Sequence, residues 1–206
     1  MDRRSLLLAP LALTAGGAMA QTAAPDTAKV VAGWPTPTGT IDLWPKGAPG
    51  QLHPDMKEHV EETSTDPAMK FRRVQGISKP RMAVFPAENP NGGAMLIIPG
   101  GGFWWNYFDH EGYQLADYLN KQGITCFVLF YRLANDGWQN AADVGTIDAQ
   151  RAMRLIRKNA AQYKLDPKRV GVAGFSAGGF ITASLATRHA QTLYAVVDDA
   201  DQLDAR

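Results

Sequence analysis

Short apolar segments alternate with helical segments along the second half of this chain. Three of them, Ala94–Ile98, Ile124–Phe130 and Val170–Ala173, contain almost no polar side chains. Such segments are typical of strands that are buried on both faces of a sheet. Because successive parallel strands must be joined by crossovers, strands that alternate with helices predict a mostly parallel sheet flanked by helices. The chain is therefore predicted to have an α/β fold.

Helical periodicity predicts three helices in the intervening segments. The first two span 112–122 and 148–165, and the third follows the glycine-rich turn at 174–179 and runs to about His189. Before them, two β-rich segments, Phe71–Ile77 and Arg81–Phe85, are predicted to form a first hairpin. No internal repeat interrupts this order.

The composition excludes several classes of protein. With 206 residues, 45% hydrophobic and 20% charged, the chain can form one domain with a core. Its 21 basic and 20 acidic residues give a net charge of +1, so we expect no nucleic-acid surface. The single cysteine, Cys126, excludes an internal disulfide and is predicted to be a core residue. The four histidines are too scattered for a metal motif, and we expect no metal site.

Residues 1–20 have the pattern of an export signal. Arg3 and Arg4 precede a short apolar segment, and Ala18-Met19-Ala20 is a typical cleavage site. The apolar segment is too short to span a membrane. An ordinary signal and a twin-arginine signal both fit, and either predicts a periplasmic or secreted protein. Residues 21–40, rich in Ala, Thr, Pro and Gly, are predicted to be a flexible leader before the folded part at 41–206.

The segment Gly174-Phe175-Ser176-Ala177-Gly178 fits the pattern G-x-S-x-G of a nucleophile elbow. It follows a predicted strand and opens a predicted helix, which is the context that this motif requires. A sharp turn there would strain the serine backbone, and glycines two residues before and after it avoid clashes. A nucleotide-binding glycine turn is the alternative, but position 180 is Phe where that turn needs Gly, and no organic cofactor is expected.

A second glycine run, Pro99-Gly100-Gly101-Gly102-Phe103, follows the strand at 94–98. Its bare backbone can approach a ligand closely and direct N–H groups at it, as in an oxyanion hole. A plain tight turn is the alternative interpretation. A Walker phosphate loop is excluded because it requires Gly-Lys-Ser/Thr.

The chain resembles the α/β-hydrolases of the esterase/lipase kind, and within them the bacterial acetylesterase and acetylxylan-esterase-like group. The matching segments cover most of 41–180 in family order: LWPKGAPG (43–50), IIPGGGFWWNYFDHEG (97–112), FVLFYRL (127–133), DAQRAMRLIRKNA (148–160) and DPKRVGVAGFSAGG (166–179). Pro99 stands where related lipases have the histidine of His-Gly-Gly-Gly, as is common in this group.

The resemblance implies that Ser176 is the nucleophile of a serine carboxylesterase. Gly101, Gly102 and Ala177 would supply the oxyanion N–H groups. The implied substrate is a small-molecule or carbohydrate ester, such as acetylated xylan. Three tryptophans in the loops at the predicted catalytic edge are candidates for stacking on sugar rings or, alternatively, for packing the loops onto the core: Trp104, Trp105 and Trp138.

The acid and the base of a serine triad are not evident. In the family both follow the serine at some distance along the chain. His189 would lie about 20 Å from Ser176 along the predicted helix, because each helical residue adds about 1.5 Å. His110 is a further candidate, although a plain loop role is expected for it. Four aspartates follow the serine too closely and are predicted to be solvated loop residues: Asp198, Asp199, Asp201 and Asp204.

We therefore expect 41–206 to be the N-terminal part of an α/β-hydrolase domain that lacks its C-terminal strands and is inactive by itself. One alternative is a non-catalytic remnant or carbohydrate-binding module that keeps the elbow without the base. The other is a serine peptidase of the prolyl-oligopeptidase type, which shares the elbow and the fold.

Overall fold

The computed structural model describes residues 34–66 and 68–206. The predicted export signal and the predicted leader up to residue 33 lie outside the described residues. The strands are β1 (Gly39–Asp42), β2 (His59–Glu62), β3 (Arg72–Gln75), β4 (Arg81–Phe85), β5 (Ala94–Ile98), β6 (Thr125–Phe130) and β7 (Val170–Gly174). The α-helices are α1 (Gln114–Asn120), α2 (Val144–Lys158) and α3 (Ala177–Arg188). A π-helical turn spans Asp109–Tyr113, and 3-10 turns span Ala134–Asp136 and Asp199–Gln202.

Five strands form one mixed sheet in the order β1-β4-β6-β5-β7. β5 is parallel to both of its neighbours, with Leu96 opposite Phe127 of β6 and Ile98 opposite Gly174 of β7. β4 is antiparallel to β1 and to β6. The predicted α/β fold is confirmed, and the parallel pairing lies in the β6-β5-β7 half. Since parallel strands end at the same edge, the turns after β5 and β7 lie side by side.

The helices pack on this sheet through apolar faces. α1 contacts β6, whereas α2 contacts α3 and β7. α2 buries Ala149, Ala152 and Ile156 and ends on Arg157 and Lys158, whose charges complement the helix C-terminus. In the part of the chain that the structure describes, no helix is long and apolar enough to cross a membrane.

Cys126 lies inside β6 and is fully buried, as predicted for a core residue. Removal from water penalises the thiolate and raises the pKa of the thiol to about 12. The thiol is therefore protonated at neutral pH and lacks the reactivity of a nucleophilic cysteine.

The predicted first hairpin is wrong. β3 pairs with β2 in a separate two-stranded sheet, with Val74 opposite Val60, whereas β4 pairs with β1 and β6. The connection between β3 and β4 does not form a tight turn, because it buries Ile77 in the core. β1 was not predicted, and it begins at Gly39, inside the segment predicted as leader.

The second helix is also displaced from its predicted range of 148–165. It begins at Val144, and Asp148 lies in its second turn, where its buried carboxylate accepts hydrogen bonds from the Arg132 guanidinium. It ends at Lys158, and the chain then passes through turns in which Lys164 has φ +55°. That left-handed conformation is incompatible with a continuing helix.

Candidate active site

Ser176 occupies the sharp turn between the end of β7 at Gly174 and the start of α3 at Ala177. Its backbone angles are φ 47° and ψ −115°, a conformation that costs free energy for any residue with a side chain. A serine at the N-cap of a helix usually accepts a hydrogen bond from the first turn. Ser176 makes no such bond, and its side chain is exposed. The hydroxyl is therefore not engaged in capping α3.

The two glycines of the elbow are required by close backbone contacts. A β-carbon on Gly174 would lie 2.3 Å from the carbonyl oxygen of Gly178 and equally close to the hydroxyl of Thr182. A β-carbon on Gly178 would clash with the carbonyl oxygen of Ile98 at the end of β5. The glycines thus let the first turn of α3 pack directly on the neighbouring strand.

The glycine run after β5 forms a tight turn with three consecutive left-handed residues. Gly101, Gly102 and Phe103 have φ of 138°, 63° and 63°. The Gly101 carbonyl accepts hydrogen bonds from the N–H groups of Trp104 and Trp105, at 3.1 and 3.0 Å. A β-carbon on Gly101 would lie 2.2 Å from the Trp105 carbonyl oxygen, so this turn requires glycine there.

This turn begins in contact with the elbow. A β-carbon on Gly100 would lie 3.0 Å from the β-carbon of Ser176 and 2.6 Å from the Phe175 carbonyl oxygen. Within the described residues, the backbone N–H groups of Gly101, Gly102 and Ala177 donate to no acceptor. The structure thus brings the glycine run to the serine, with N–H groups available for an oxyanion.

The three predicted tryptophans differ in exposure. Trp104 is 60% exposed beside the glycine run. One face of Trp105 is covered by the guanidinium of Arg73, whose central carbon lies 3.9 Å from the ring centroid. Trp138 is only 3% exposed and lies under the Arg132 guanidinium. Trp138 therefore follows the alternative interpretation, in which the ring packs its loop onto the core, and a sugar ring cannot stack on it.

The histidines do not reach the serine. His110 packs edge-on against Phe71 and Tyr107, and its Nε2 lies 3.9 Å from Oε1 of Glu111. His189 lies at the far end of α3, where its Nδ1 is 3.0 Å from the Ala186 carbonyl oxygen. In residues 34–66 and 68–206, no hydrogen bond joins a histidine to Ser176. No group of three metal-ligating side chains is found in the same residues.

The prediction that the late aspartates are solvated is wrong for two of them. Asp198 and Asp201 both accept hydrogen bonds from the buried guanidinium of Arg151 in α2, at 2.6 to 3.0 Å. The hydrogen bonds from Arg151 lower the pKa of Asp198 to about 2. Asp199 and Asp204 remain largely exposed. Asp198 and Asp201 therefore anchor the segment after α3 to α2.

Two residues near the serine were missed in the sequence. Glu111 accepts a hydrogen bond from the Gly100 N–H, and Tyr131 donates one to the Pro99 carbonyl. They lie 11 and 32 residues from these partners. Both fall in segments that match the family, but the motif pattern assigned no role to either. Only the strand order, which places β6 beside β5, brings Tyr131 to the glycine run.

Comparisons with known proteins agree with this geometry. The sequence profile of the BD-FAE family matches residues 84–204, more than half of the chain. An acetylxylan esterase from Xylanibacter ruminicola is 41% identical over 121 residues, which are 58% of this chain and 24% of that protein. An endo-1,4-beta-xylanase B from Butyrivibrio fibrisolvens is 31% identical over 137 residues, which are 66% of this chain and 21% of that protein.

Among solved structures, an acetyl ester-xyloside bifunctional hydrolase from Caldicellulosiruptor lactoaceticus has a TM-score of 0.58 and 26% identity. That alignment covers 85% of this chain and 56% of the hydrolase. The chain thus spans a quarter or less of the curated relatives and about half of this solved structure. The matched profile includes β5, β6, β7 and both glycine turns, and the chain belongs to the BD-FAE family of α/β-hydrolase-like domains.

Proposed function

We propose that the protein is a serine ester hydrolase that forms an acyl-enzyme on Ser176 and removes acetyl groups from carbohydrate. The observation that carries this proposal is the conformation of Ser176. Its backbone is strained, its hydroxyl makes no hydrogen bond to the described residues, and the glycine run lies against it. Strain of this kind is kept in proteins chiefly at reactive positions. A serine with only a structural role at a helix start would instead cap the helix.

The reaction that fits this geometry is acyl transfer. The Ser176 oxygen attacks the ester carbonyl carbon, its proton passes to a base, and the carbonyl oxygen becomes an oxyanion. The N–H groups of Gly101, Gly102 and Ala177 are the donors that we assign to this oxyanion. The alcohol then leaves with a proton, and water hydrolyses the acyl-enzyme to acetate and free Ser176. In the described residues no hydrogen bond joins a histidine to Ser176, and we expect residues 21–206 alone to be inactive.

Two observations support acetylated carbohydrate as the substrate. The relatives include an acetylxylan esterase, a xylanase and an acetyl ester-xyloside hydrolase. In addition, Trp104 presents an exposed ring beside the glycine run. Aromatic faces pack well on the apolar faces of sugars, and Trp104 is therefore our candidate for substrate contact. Arg3, Arg4 and the cleavage pattern Ala18-Met19-Ala20 support export to the periplasm or the medium.

A non-catalytic carbohydrate-binding protein is the second candidate. It is favoured by the absence, within the described residues, of any hydrogen bond between a histidine and Ser176. Such a protein would bind acetylated sugar through Trp104 without hydrolysing it.

The test is the reaction of Ser176 in the complete hydrolase domain, of which residues 41–206 are expected to be the N-terminal part. We expect p-nitrophenyl acetate to be hydrolysed, and a fluorophosphonate probe to label the peptide that contains Ser176. Ser176→Ala should remove nearly all of both signals. Ser78→Ala, which removes a hydroxyl from the loop between β3 and β4, should change neither. Wild-type hydrolysis by Ser176→Ala would overturn the proposal. Binding of acetylated xylo-oligosaccharide with neither hydrolysis nor labelling would establish the second candidate instead.

A further inference from the structure

The peptide unit between Pro99 and Gly100 is held at both of its polar ends. The Tyr131 hydroxyl donates a hydrogen bond to the Pro99 carbonyl oxygen at 2.9 Å. The Gly100 N–H donates to Oε2 of Glu111 at 2.6 Å. Because a peptide unit is planar and rigid, these two bonds together fix its orientation. We call Tyr131, Glu111 and this peptide unit the Pro99–Gly100 clamp.

The clamp lies where orientation matters for the proposed chemistry. It directly precedes Gly101 and Gly102, whose N–H groups are assigned to the oxyanion. It also touches the elbow, since a β-carbon on Gly100 would be 3.0 Å from both Oε2 of Glu111 and the β-carbon of Ser176. Oε2 of Glu111 and the Ser176 β-carbon are therefore separated by no more than twice that distance. A rotation of the clamped peptide would move the following N–H groups relative to Ser176.

Both side chains of the clamp are themselves fixed. Tyr131 directly follows β6 and is fully buried. Its burial, and secondly the nearby charge of Glu111, raise the pKa of its hydroxyl, so that it remains a donor. Glu111 lies in the π-helical turn Asp109–Tyr113, and Asp109 of that turn accepts a bidentate pair of bonds from Arg72. The clamp is therefore built on anchored elements rather than on a free loop.

We infer that Glu111 and Tyr131 are positioning residues that hold the Pro99–Gly100 peptide in the orientation required for the oxyanion N–H groups, an inference that rests on the proposed function. The clamp has a further consequence, because Glu111 occupies the Gly100 N–H and removes it from the set of oxyanion donors. The oxyanion donors then come from Gly101, Gly102 and Ala177. Glu111 acts here as a hydrogen-bond acceptor, not as a base.

Steady-state kinetics of the complete hydrolase domain, of which residues 41–206 are expected to be the N-terminal part, test this inference. Oxyanion donors act on the transition state, so their misplacement lowers kcat and leaves KM nearly unchanged. Loss of one such donor costs about 100- to 1000-fold in kcat, and we expect a smaller loss of about 10- to 100-fold for Glu111→Ala. Glu111→Gln should recover most of kcat, since its amide oxygen still accepts from Gly100. Tyr131→Phe should lower kcat about 10-fold by the same argument. The exposed Glu88→Gln is the matched control and should keep wild-type kinetics.

The results separate this inference from the proposed function. Wild-type kcat in folded Glu111→Ala and Tyr131→Phe would overturn the clamp, even if Ser176→Ala is inactive. A loss in Glu111→Gln as deep as in Glu111→Ala would also overturn it, because it would show that the charge is needed. Full activity of Ser176→Ala would overturn the proposed function itself. Circular dichroism checks that each variant is folded, and Tyr131→Phe is decisive should Glu111→Ala fail to fold.

Discussion

The backbone of Gly178 passes so close to Ile98 that a β-carbon on the glycine would lie 2.0 Å from the Ile98 carbonyl oxygen. Both groups belong to rigid elements, the first turn of α3 and the end of β5. Neither backbone can therefore shift without a large cost in free energy. We expect Gly178→Ala to lower the free energy of unfolding by about 3 kcal/mol, the upper part of the range for overpacking. Urea unfolding followed by circular dichroism measures this loss.

Gly179→Ala is the matched control for that substitution. The nearest atom to its added β-carbon would be the Gly174 carbonyl oxygen at 3.4 Å. Because alanine favours helix over glycine by up to about 1 kcal/mol, this variant should be as stable as the wild type or more so. Equal stability of both variants would show that the elbow tolerates a side chain at Gly178.

Trp104→Ala should weaken the binding of acetylated sugar. The exposed ring is our candidate for stacking, and aromatic contacts contribute about 0.5 to 1.5 kcal/mol, so KM for an acetylated xylo-oligosaccharide should rise by about 3- to 10-fold. Hydrolysis of p-nitrophenyl acetate, which has no sugar, should be unchanged. Trp138→Phe serves as the comparison and should leave KM unaltered, because Trp138 is buried under Arg132. An unchanged KM in Trp104→Ala would remove Trp104 from the binding site.

Asp148→Asn should destabilise the whole domain. The Asp148 carboxylate is fully buried and accepts hydrogen bonds from the Arg132 side chain and backbone and from Nε1 of Trp44. The substitution leaves Arg132 buried without its charge partner, which typically costs about 3 to 5 kcal/mol. Urea unfolding again provides the measurement. Asp117→Asn breaks an exposed pair with Lys121 and should cost less than about 0.5 kcal/mol.

Acid should weaken the protein partly through Asp198. The hydrogen bonds from Arg151 lower the pKa of this carboxyl in the folded state to about 2, from an ordinary value of 3.8. A lowered pKa contributes stability above the ordinary value, and that contribution disappears as the pH falls from about 4 to about 2. After allowance for solvent screening at a side chain that is one-third exposed, we expect about 1 kcal/mol.

Asp198→Asn should therefore reduce the free energy of unfolding at pH 7 and make it less dependent on pH below 4. Unfolding by urea at a series of pH values from 2 to 7 measures both effects. Asp199→Asn changes the adjacent, largely exposed carboxyl and is the control. A pH dependence in Asp198→Asn as steep as in the wild type would contradict this account of the Arg151 contacts.

The strands and turns that are specified by residues adjacent in the sequence could be predicted. β4 and β5 match their predicted ranges, because a mostly apolar run flanked by Pro or Gly on both sides leaves little freedom. The elbow and the glycine run could be recognised because backbone strain and close contact permit few residue types. Both requirements are confirmed by the close contacts at Gly174, Gly178 and Gly101.

The parts that depend on distant partners could not be predicted. β3 pairs with β2 across a connecting segment, and no local signal separates that choice from a hairpin with β4. Asp148 marks the predicted start of a helix, and only its position beside Arg132 shows that it is a buried charge partner. Asp198 was predicted to be solvated, and only its position beside Arg151 shows otherwise. Both aspartates come close to their arginine partners only in the folded chain.

The pairing of Ile98 with Gly174 determines where Ser176 lies relative to the glycine run. Each is the last residue of its strand, and each leads within two residues to a glycine or serine of the site. A slip of one residue between β5 and β7 would displace Ser176 by about 3.3 Å relative to the glycine run. That displacement exceeds the length of a hydrogen bond. The alignment of Ser176 with the glycine run is therefore set by strand register, and substitutions in the surrounding loops leave it in place.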